Sequence, residues 1–257
     1  MEHYSLKQII QSLPKKKNSR SSLWVQLFVR KISFLFTYIF INLGFSANSV
    51  SVLSVFVVLG GSLCLCFNNF AFNIVGAIII NLWLVLDCVD GNIARCKKKS
   101  SYMGEFYDAL GGYAATTFSI FGIGFAAFYS SIIIGNNFNY FYIVIGALGS
   151  VFNLFSRLVY QKYTVSVFTT NNVIGLQNEL PENHTENKKS FAYIREQIDK
   201  QFGISGLFMI LLLVAPFFPI VFEIMTFVYS LYYFLAFVYT FVMYSIRAKK
   251  FEESVNK

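Results

Sequence analysis

The sequence predicts an all-α membrane protein whose chain crosses the bilayer several times. Only 13% of its 257 residues are charged, whereas a soluble domain carries about 25%. Hydrophobic residues make up 56% of the chain and aromatic residues 19%, and the mean hydropathy is +0.56. One soluble core cannot bury this much apolar surface. The composition therefore excludes a disordered chain, a disulfide scaffold and an ordinary cytosolic enzyme.

Apolar runs predict six transmembrane helices, because about 20 apolar residues span the hydrocarbon core of a bilayer. The stretch 24–45 is also apolar, but Arg30 and Lys31 interrupt it. It fits better as an N-terminal amphipathic helix lying in the membrane interface, and a seventh span is the alternative. The predicted spans are 49–67, 70–86, 106–130, 138–160, 203–218 and 220–246.

These spans divide the chain into a cytoplasmic N-terminus with the interfacial helix (1–48), a membrane domain (49–246) and a cytoplasmic tail (247–257). The membrane domain contains a polar loop, 164–202, with a helix predicted at 190–201. With six spans, all 21 Lys and Arg residues fall on one side, and the positive-inside rule makes that side cytoplasmic. The net charge of +8 then reflects topology and anionic headgroups, not nucleic acid.

Four of the 13 acidic residues, Asp87, Asp90, Glu105 and Asp108, fall within 22 residues of sequence. The first two end span two and the last two begin span three, and the spacing of three puts each pair on one helical face. Unpaired carboxylates in the membrane cost up to about 2.5–3.5 kcal/mol each. This cost favours a functional role, and the alternative is that they neutralise Arg95 and the lysines that follow it.

Two helix ends that present carboxylates to one cleft suit a hard cation, Mg²⁺ or Mn²⁺, with positions left for phosphate oxygens. Arg95 adds a planar fork for a phosphate group. Gly91 and Ala94 are small enough for a ligand to approach the backbone. A metal and a phosphate at the membrane edge indicate phosphoryl transfer on a nucleotide or a lipid pyrophosphate.

This segment resembles the signature of the CDP-alcohol phosphotransferase superfamily, D-x2-D-G-x2-A-R-x8-G-x3-D-x3-D. Upstream, the sequence Asn48-Ser-Val-Ser51 resembles the family's P-N-x-[IVL]-T at the start of its first span. Seven of the eight fixed positions of the signature are matched at the right spacing, by Asp87, Asp90, Gly91, Ala94, Arg95, Gly104 and Asp108.

The resemblance implies a multi-pass enzyme of the cell membrane, with its active site on the cytoplasmic face, that acts in phospholipid or phospho-glycoconjugate biosynthesis. Such an enzyme transfers a substituted phosphate group from a CDP-alcohol donor to a lipid or polyol acceptor and releases CMP. We also expect contact with membrane lipids and a homodimer. The implied metal ligands are Asp87, Asp90 and Asp108, and the implied nucleotide-binding residues are Asn48, Gly91, Ala94, Arg95 and Gly104.

Position 112 departs from the family pattern. Gly112 stands where the family has its fourth Asp, a metal ligand and proposed general base. Glu105 lies on nearly the same face, but about 10 Å away along the helix. We assign Asp108 and Glu105 as the candidate catalytic residues, although Glu105 is equally well explained as a solvated partner of nearby lysines. We expect a site rebuilt around a small residue, in which an Asp at 112 would crowd the cleft.

Two other functions stay open at this point. A family member that binds nucleotide and metal without turnover would act as a partner or sensor, and Gly112 is the observation that supports it. An ion-coupled transporter is less favoured, because the acids sit at the membrane edge and no pair of broken helices is apparent. Arg157 is a candidate to bind a phosphate on the acceptor or on a lipid, and a snorkelling side chain is the alternative explanation for it.

Overall fold

The computed structural model describes residues 3–14, 18, 21–98, 101–130, 132–134, 139–174 and 198–255. Within those residues every regular element is a helix, and there is no strand. Six of these helices are long and apolar enough to cross a membrane. The predicted all-α fold with six membrane-spanning helices is therefore confirmed.

Short connections join Ala47–Leu65 to Phe70–Cys96 and Tyr102–Ser130 to Tyr140–Ile174, and each pair packs as antiparallel neighbours. The helix named α2 begins as a π-helical turn, Val25–Val29, and continues as the α-helix Arg30–Asn42. The bounds are α1 Leu6–Gln11, α2 Val25–Asn42, α3 Ala47–Leu65, α4 Phe70–Cys96, α5 Tyr102–Ser130, α6 Tyr140–Ile174, α7 Leu207–Val214 and α8 Ile220–Val255.

Local sequence fixes the turns that lead into α3 and α4. Beyond the end of α2, Gly44 has a φ of 87°, in the left-handed region that glycine adopts without strain. Ser46 caps α3 by accepting a hydrogen bond of 3.1 Å from the backbone N–H of Ser49. Asn69 caps α4 in the same way. The resulting α3–α4 hairpin brings the start of α3 beside the end of α4, where predicted site residues lie.

Small residues allow the long helices to approach closely. A Cβ added at Gly76 of α4 would lie 2.7 Å from the carbonyl oxygen of Gly61 in α3. A Cβ added at Gly146 of α6 would lie 3.0 Å from the Cα of Gly124 in α5. Close backbone contact of this kind gives the van der Waals packing that holds helices together in lipid.

The six candidate spans are not the same six that the sequence predicts. Five of the predicted spans correspond to α3, α4, α5, α6 and α8, and the sixth candidate is α2. The predicted span 203–218 contains only the eight-residue helix α7, which is about 12 Å long. Gly203 and Gly206 precede this helix and Pro216 and Pro219 follow it. These residues disfavour helix and confine it to the apolar segment between them.

The segment around α7 nevertheless runs along α4 toward the outer end of the bundle, the end where α8 begins. The carbonyl oxygen of Met209 accepts a hydrogen bond of 3.3 Å from the side-chain amide of Asn81 in the middle of α4. The ring of Phe217 packs against that of Phe70, at the start of α4, with 5.7 Å between centroids. The predicted span is thus a short helix between two turns in the described structure.

Helices α2 and α4 run in the same direction, because the start of α2 contacts the middle of α4 and the end of α2 lies near the end of α4. The indole Nε1 of Trp24 donates to the side chain of Asn81 at 3.3 Å. Just past the other end of α2, the carbonyl oxygen of Phe45 accepts from Lys97 Nζ at 2.9 Å. Therefore α2 runs beside the second half of α4, and its predicted position in the membrane interface stays a prediction.

The described basic residues at the helix ends share one end of the bundle, the inner end, where α4 stops and α5 starts. Lys97 and Lys98 lie there, and Arg247 lies near the end of the antiparallel helix α8. The turns at the outer end contain no Lys or Arg in the sequence.

Helix α6 continues into the predicted polar loop, and most of the predicted helix 190–201 lies outside the described residues. Several basic residues also lie outside them, namely Lys15, Lys16, Lys17, Arg20, Lys99, Lys188, Lys189, Arg195 and Lys257.

Glu223 fastens the outer end of the bundle. Its side chain is fully buried in the first turn of α8. The carboxylate accepts hydrogen bonds from Ser130 Oγ at 2.5 Å, from the backbone N–H groups of Ile132 and Ile133 at 2.7 and 2.8 Å, and from the Tyr142 hydroxyl. This acid therefore joins α5, α6 and α8.

We expect Glu223→Gln to destabilise the bundle, because an amide NH₂ would face donors that now bond a carboxylate. Losing charge-assisted bonds in a buried site costs roughly 3 kcal/mol. The measurement is thermal unfolding in detergent, with Glu252→Gln on the exposed end of the same helix as the matched control. Equal unfolding temperatures for the two variants would contradict this role of Glu223.

Candidate active site

A cavity of about 700 Å³ opens where α2, the start of α3, the end of α4 and the start of α5 meet. Residues from all four helices line it, so it exists only when the inner end of the bundle is assembled. The predicted site residues that line it are Asn48, Asp87, Asp90, Gly91, Ala94, Arg95, Gly104, Glu105 and Asp108. The structure thus brings together all nine residues singled out from the sequence.

The end of α4 supplies the deepest carboxylate. Asp90 is only 6% exposed, whereas Asp87, one turn earlier, is half-buried. The hydroxyl of Ser51 donates a hydrogen bond of 2.6 Å to Oδ2 of Asp90. Since Ser51 belongs to α3, this bond fixes the Asp90 side chain against the neighbouring helix. A buried carboxylate needs such donors to offset its lost hydration.

The first turns of α5 supply the outer carboxylates. Glu105 and Asp108 are exposed at the cavity. Within the part of the chain that the structure describes, no three His, Cys, Asp or Glu side chains form a complete metal-binding group. Carboxylate oxygens are the donors that Mg²⁺ and Mn²⁺ prefer, so the donor chemistry fits such a cation. Asp87, Asp90 and Asp108 are the carboxylates of the cavity that could hold it.

The guanidinium of Arg95 lies over Gly91. A Cβ added at Gly91 would lie 3.3 Å from Nη1 of Arg95, so a larger residue at 91 would displace the guanidinium. Nη2 donates a hydrogen bond of 2.5 Å to Oδ1 of Asn92. The buried Nε makes no hydrogen bond within the described structure. Arg95 is therefore held at one nitrogen and keeps donors for a ligand.

Gly104 brings the start of α5 against α3. A Cβ added there would lie 3.2 Å from Oδ1 of Asn48 and 3.2 Å from Oγ of Ser101. The backbone N–H of Gly104 donates to that same Ser101 oxygen at 3.0 Å. The small residue thus lets a side chain from the start of α3 reach the wall formed by α5.

Sequence reasoning missed Arg30 and the role of Ser51 at the site. In the sequence Arg30 is a charge that interrupts an apolar run, yet in the structure it lines the cavity and is 7% exposed. The signal was present in the spacing of Arg30, Ser33 and Thr37, which is typical of a polar stripe on one helical face. All three side chains are buried, so the polar face of α2 points into the protein.

Gly112 is not among the residues that line the cavity. A Cβ added there would meet no atom within 4 Å, so the first side-chain carbon has room. That a whole Asp side chain would crowd the cleft stays a prediction. The next residue, Tyr113, accepts a hydrogen bond of 2.5 Å from Gln161 Nε2. The guanidinium of Arg157 lies 4.7 Å from the centroid of the Tyr113 ring. Arg157 therefore packs on an aromatic face of α5.

Comparison with known protein families gives one match that spans most of the membrane region. Residues 45–242 match the family model described as CDP-alcohol phosphatidyltransferase. The match covers more than half of the 257-residue chain, and it includes α3 to α7 and most of α8. A search of curated proteins found no match for the chain.

The space around Gly112 predicts that Gly112→Ala is tolerated. Alanine favours a helix interior over glycine by about 1 kcal/mol, and the new methyl group meets nothing. The matched control is Gly76→Ala, whose Cβ would collide with a backbone oxygen and should cost roughly 1–3 kcal/mol. Thermal unfolding of both variants in detergent checks this. An equal loss of stability in the two variants would show that the surroundings of Gly112 are not open.

Proposed function

The chain belongs to the CDP-alcohol phosphatidyltransferase family, and on that premise we propose that it transfers a substituted phosphate group from a CDP-alcohol to an acceptor hydroxyl. CMP is the second product. The observation that carries this proposal is the single cavity that joins the carboxylates of α4 and α5 to the guanidinium of Arg95. A pyrophosphate with a bound cation has complementary charges for these two groups.

The proposed reaction is a displacement at the β-phosphorus of the donor. The acceptor oxygen forms a bond to this phosphorus, and the bond to the oxygen that bridges the two phosphates breaks. CMP leaves with that bridging oxygen and its electron pair, while the acceptor hydroxyl loses its proton. Arg95 stabilises the negative charge that grows on the leaving CMP. A Mg²⁺ or Mn²⁺ held by Asp87, Asp90 and Asp108 would stabilise charge on the phosphate oxygens.

Orientation of the donor follows from the small residues of the site. Gly91 and Ala94 keep the surface of α4 small beside Arg95, and Gly104 does the same on α5 beside Asn48. We propose that the donor's pyrophosphate lies against these surfaces, with Asn48 as a further polar contact from α3. Holding the phosphorus in line with the acceptor is a large part of phosphoryl-transfer catalysis.

The residue that takes the proton of the acceptor hydroxyl must differ between this chain and the family pattern. Gly112 offers no carboxylate, so we propose that Asp108 or Glu105 takes the proton directly or through a water molecule. Both acids line the cavity, and both are exposed enough to pass a proton to solvent. Losing a general base costs about 10²–10⁴ in rate, which leaves measurable turnover if the donor is well positioned.

A binding protein without turnover is the second candidate, and Gly112 is the observation that favours it. The transporter is weakened by the structure of Glu223, since four donors already engage this buried acid far from the cavity. An acid that is fully bonded within the protein is poorly suited to exchange ions.

We further propose that the inner end of the bundle faces the cytoplasm, because its helix ends carry the described basic residues. In this orientation the cavity draws a soluble nucleotide donor from the cytoplasm and a lipid or polyol acceptor from the membrane or its surface. Labelling of a single cysteine at Asn69, but not at Lys98, by an impermeant reagent outside intact cells tests this orientation. The homodimer stays a prediction.

CMP release by the purified protein tests the proposed function. The assay uses a panel of CDP-alcohols and acceptors with Mg²⁺, with Mn²⁺ and with neither cation. We expect Asp87→Asn, Asp90→Asn and Asp108→Asn each to lower the rate at least about 100-fold. Glu252→Gln, which removes an exposed acid remote in sequence, is the matched control and should keep the native rate.

Two outcomes would contradict the enzyme. Folded protein that binds CDP with Mn²⁺ but releases no CMP from any donor would favour the binding protein. Release that persists in all three Asp variants would show that the chemistry occurs elsewhere. Gly112→Asp and Gly112→Asn then separate the effects of charge and size at the departing position, because the Cβ has room in both.

A further inference from the structure

Arg30 lies in the cavity wall as a buried cation with unused hydrogen-bonding capacity. Its side chain is 7% exposed and lines the same cavity as Asp90 and Arg95. One terminal nitrogen, Nη2, donates to Oγ of Ser21 at 3.3 Å. The buried Nε makes no hydrogen bond in the described structure. The guanidinium of Arg30 therefore keeps at least one buried donor for a ligand.

The same face of α2 also contacts the residue that holds Arg95. The side-chain amide nitrogen of Asn92 donates to Oγ1 of Thr37 at 3.0 Å. Its carbonyl oxygen accepts the 2.5 Å hydrogen bond from Arg95. Because an amide offers a donor at one end and an acceptor at the other, Thr37 orients Asn92 so that its oxygen faces the guanidinium.

Two guanidinium groups therefore line one cavity, and each has a buried Nε without a partner. Burying a cation without a partner is costly, and placing a second cation nearby adds repulsion. A ligand with two negative phosphates would relieve both costs, since guanidinium groups bind phosphate oxygens in a planar, two-pronged geometry. In the proposed function the carboxylates of α4 and α5 hold a cation, and the phosphates of the donor are then the counterions of the two guanidinium groups.

We propose that Arg30 is a substrate-positioning residue that binds the pyrophosphate of the nucleotide donor together with Arg95. This proposal rests on the proposed function for the identity of the donor. It makes α2 part of the substrate site, although α2 lies outside residues 45–242, which match the family. The helix thus closes the cavity with a charged side chain and also orients the second arginine.

The test is CDP binding to the purified full-length protein in nanodiscs of zwitterionic lipid, with Mn²⁺ present. We expect Arg30→Gln to weaken CDP binding at least about tenfold, in line with the loss of a charged hydrogen bond. Arg30→Lys keeps the charge without the planar fork, and its CDP affinity should fall between those of the native protein and Arg30→Gln. Lys31→Gln removes the same charge from the exposed neighbouring residue and should change affinity less than twofold.

A structural role for Arg30 predicts a different pattern. In that case Arg30→Gln lowers the unfolding temperature while the folded fraction keeps native CDP affinity, and this result overturns the proposal. If Arg30→Gln does not fold, Arg30→Lys decides, since native affinity in that variant overturns the proposal as well. Inorganic pyrophosphate should compete with CDP in the native protein and compete at least about tenfold less well in Arg30→Lys.

Turnover separates this proposal from the proposed function. If the native protein releases CMP and Arg30→Gln binds CDP normally, the positioning role fails and the enzyme stands. If the native protein binds CDP but releases no CMP, the enzyme fails and the affinities still decide the role of Arg30. A native protein that binds neither CDP nor pyrophosphate overturns both.

Discussion

Charged side chains inside a membrane protein are tolerated only where something offsets their lost hydration, and this constraint organises the whole structure. Glu223 and Asp90 are both buried, yet they meet the constraint differently. Donors from α5, the following turn and α6 surround the carboxylate of Glu223. Asp90 instead faces a cavity that it shares with Arg30 and Arg95. The hydrogen bonds to Glu223 hold the outer end of the bundle together. At the inner end the charged groups are only partly hydrogen-bonded within the protein, which suits the binding of a ligand.

Contacts between the helices build the walls of the cavity. Ser51 ties α3 to Asp90 of α4, and Gly104 brings α5 within reach of Asn48. The four walls therefore come from separate helices, and none of them forms a site alone. The polar stripe of α2 completes the enclosure, because its buried face carries Arg30 and Thr37. A membrane phosphotransferase needs a polar cavity beside lipid, in which the donor and the acceptor can meet.

The sequence predicted which residues line the cavity better than it predicted the path of the chain. The spacing of the acidic and small residues places them on one face of α4 and on one face of α5. The cavity lining from Asp87 to Asp108 could therefore be predicted from the sequence alone. Hydropathy over 203–218 did not reveal that the helix is short. Gly206 and Pro216 limit the helix through the backbone, and the hydropathy of the segment stays high despite them. Arg30 and Glu223 were missed for a related reason. Their partners lie far away along the chain, and no local pattern identifies a partner across the fold.

A cryo-electron microscopy structure with CDP and Mn²⁺ would show directly whether a nucleotide pyrophosphate binds between the two charged walls. We expect phosphate density between the carboxylate wall of Asp87, Asp90 and Asp108 and the guanidinium groups of Arg30 and Arg95. We also expect metal density on the carboxylate side. Nucleotide density outside this cavity, or an empty cavity at a CDP concentration that saturates binding, would contradict this mode of binding.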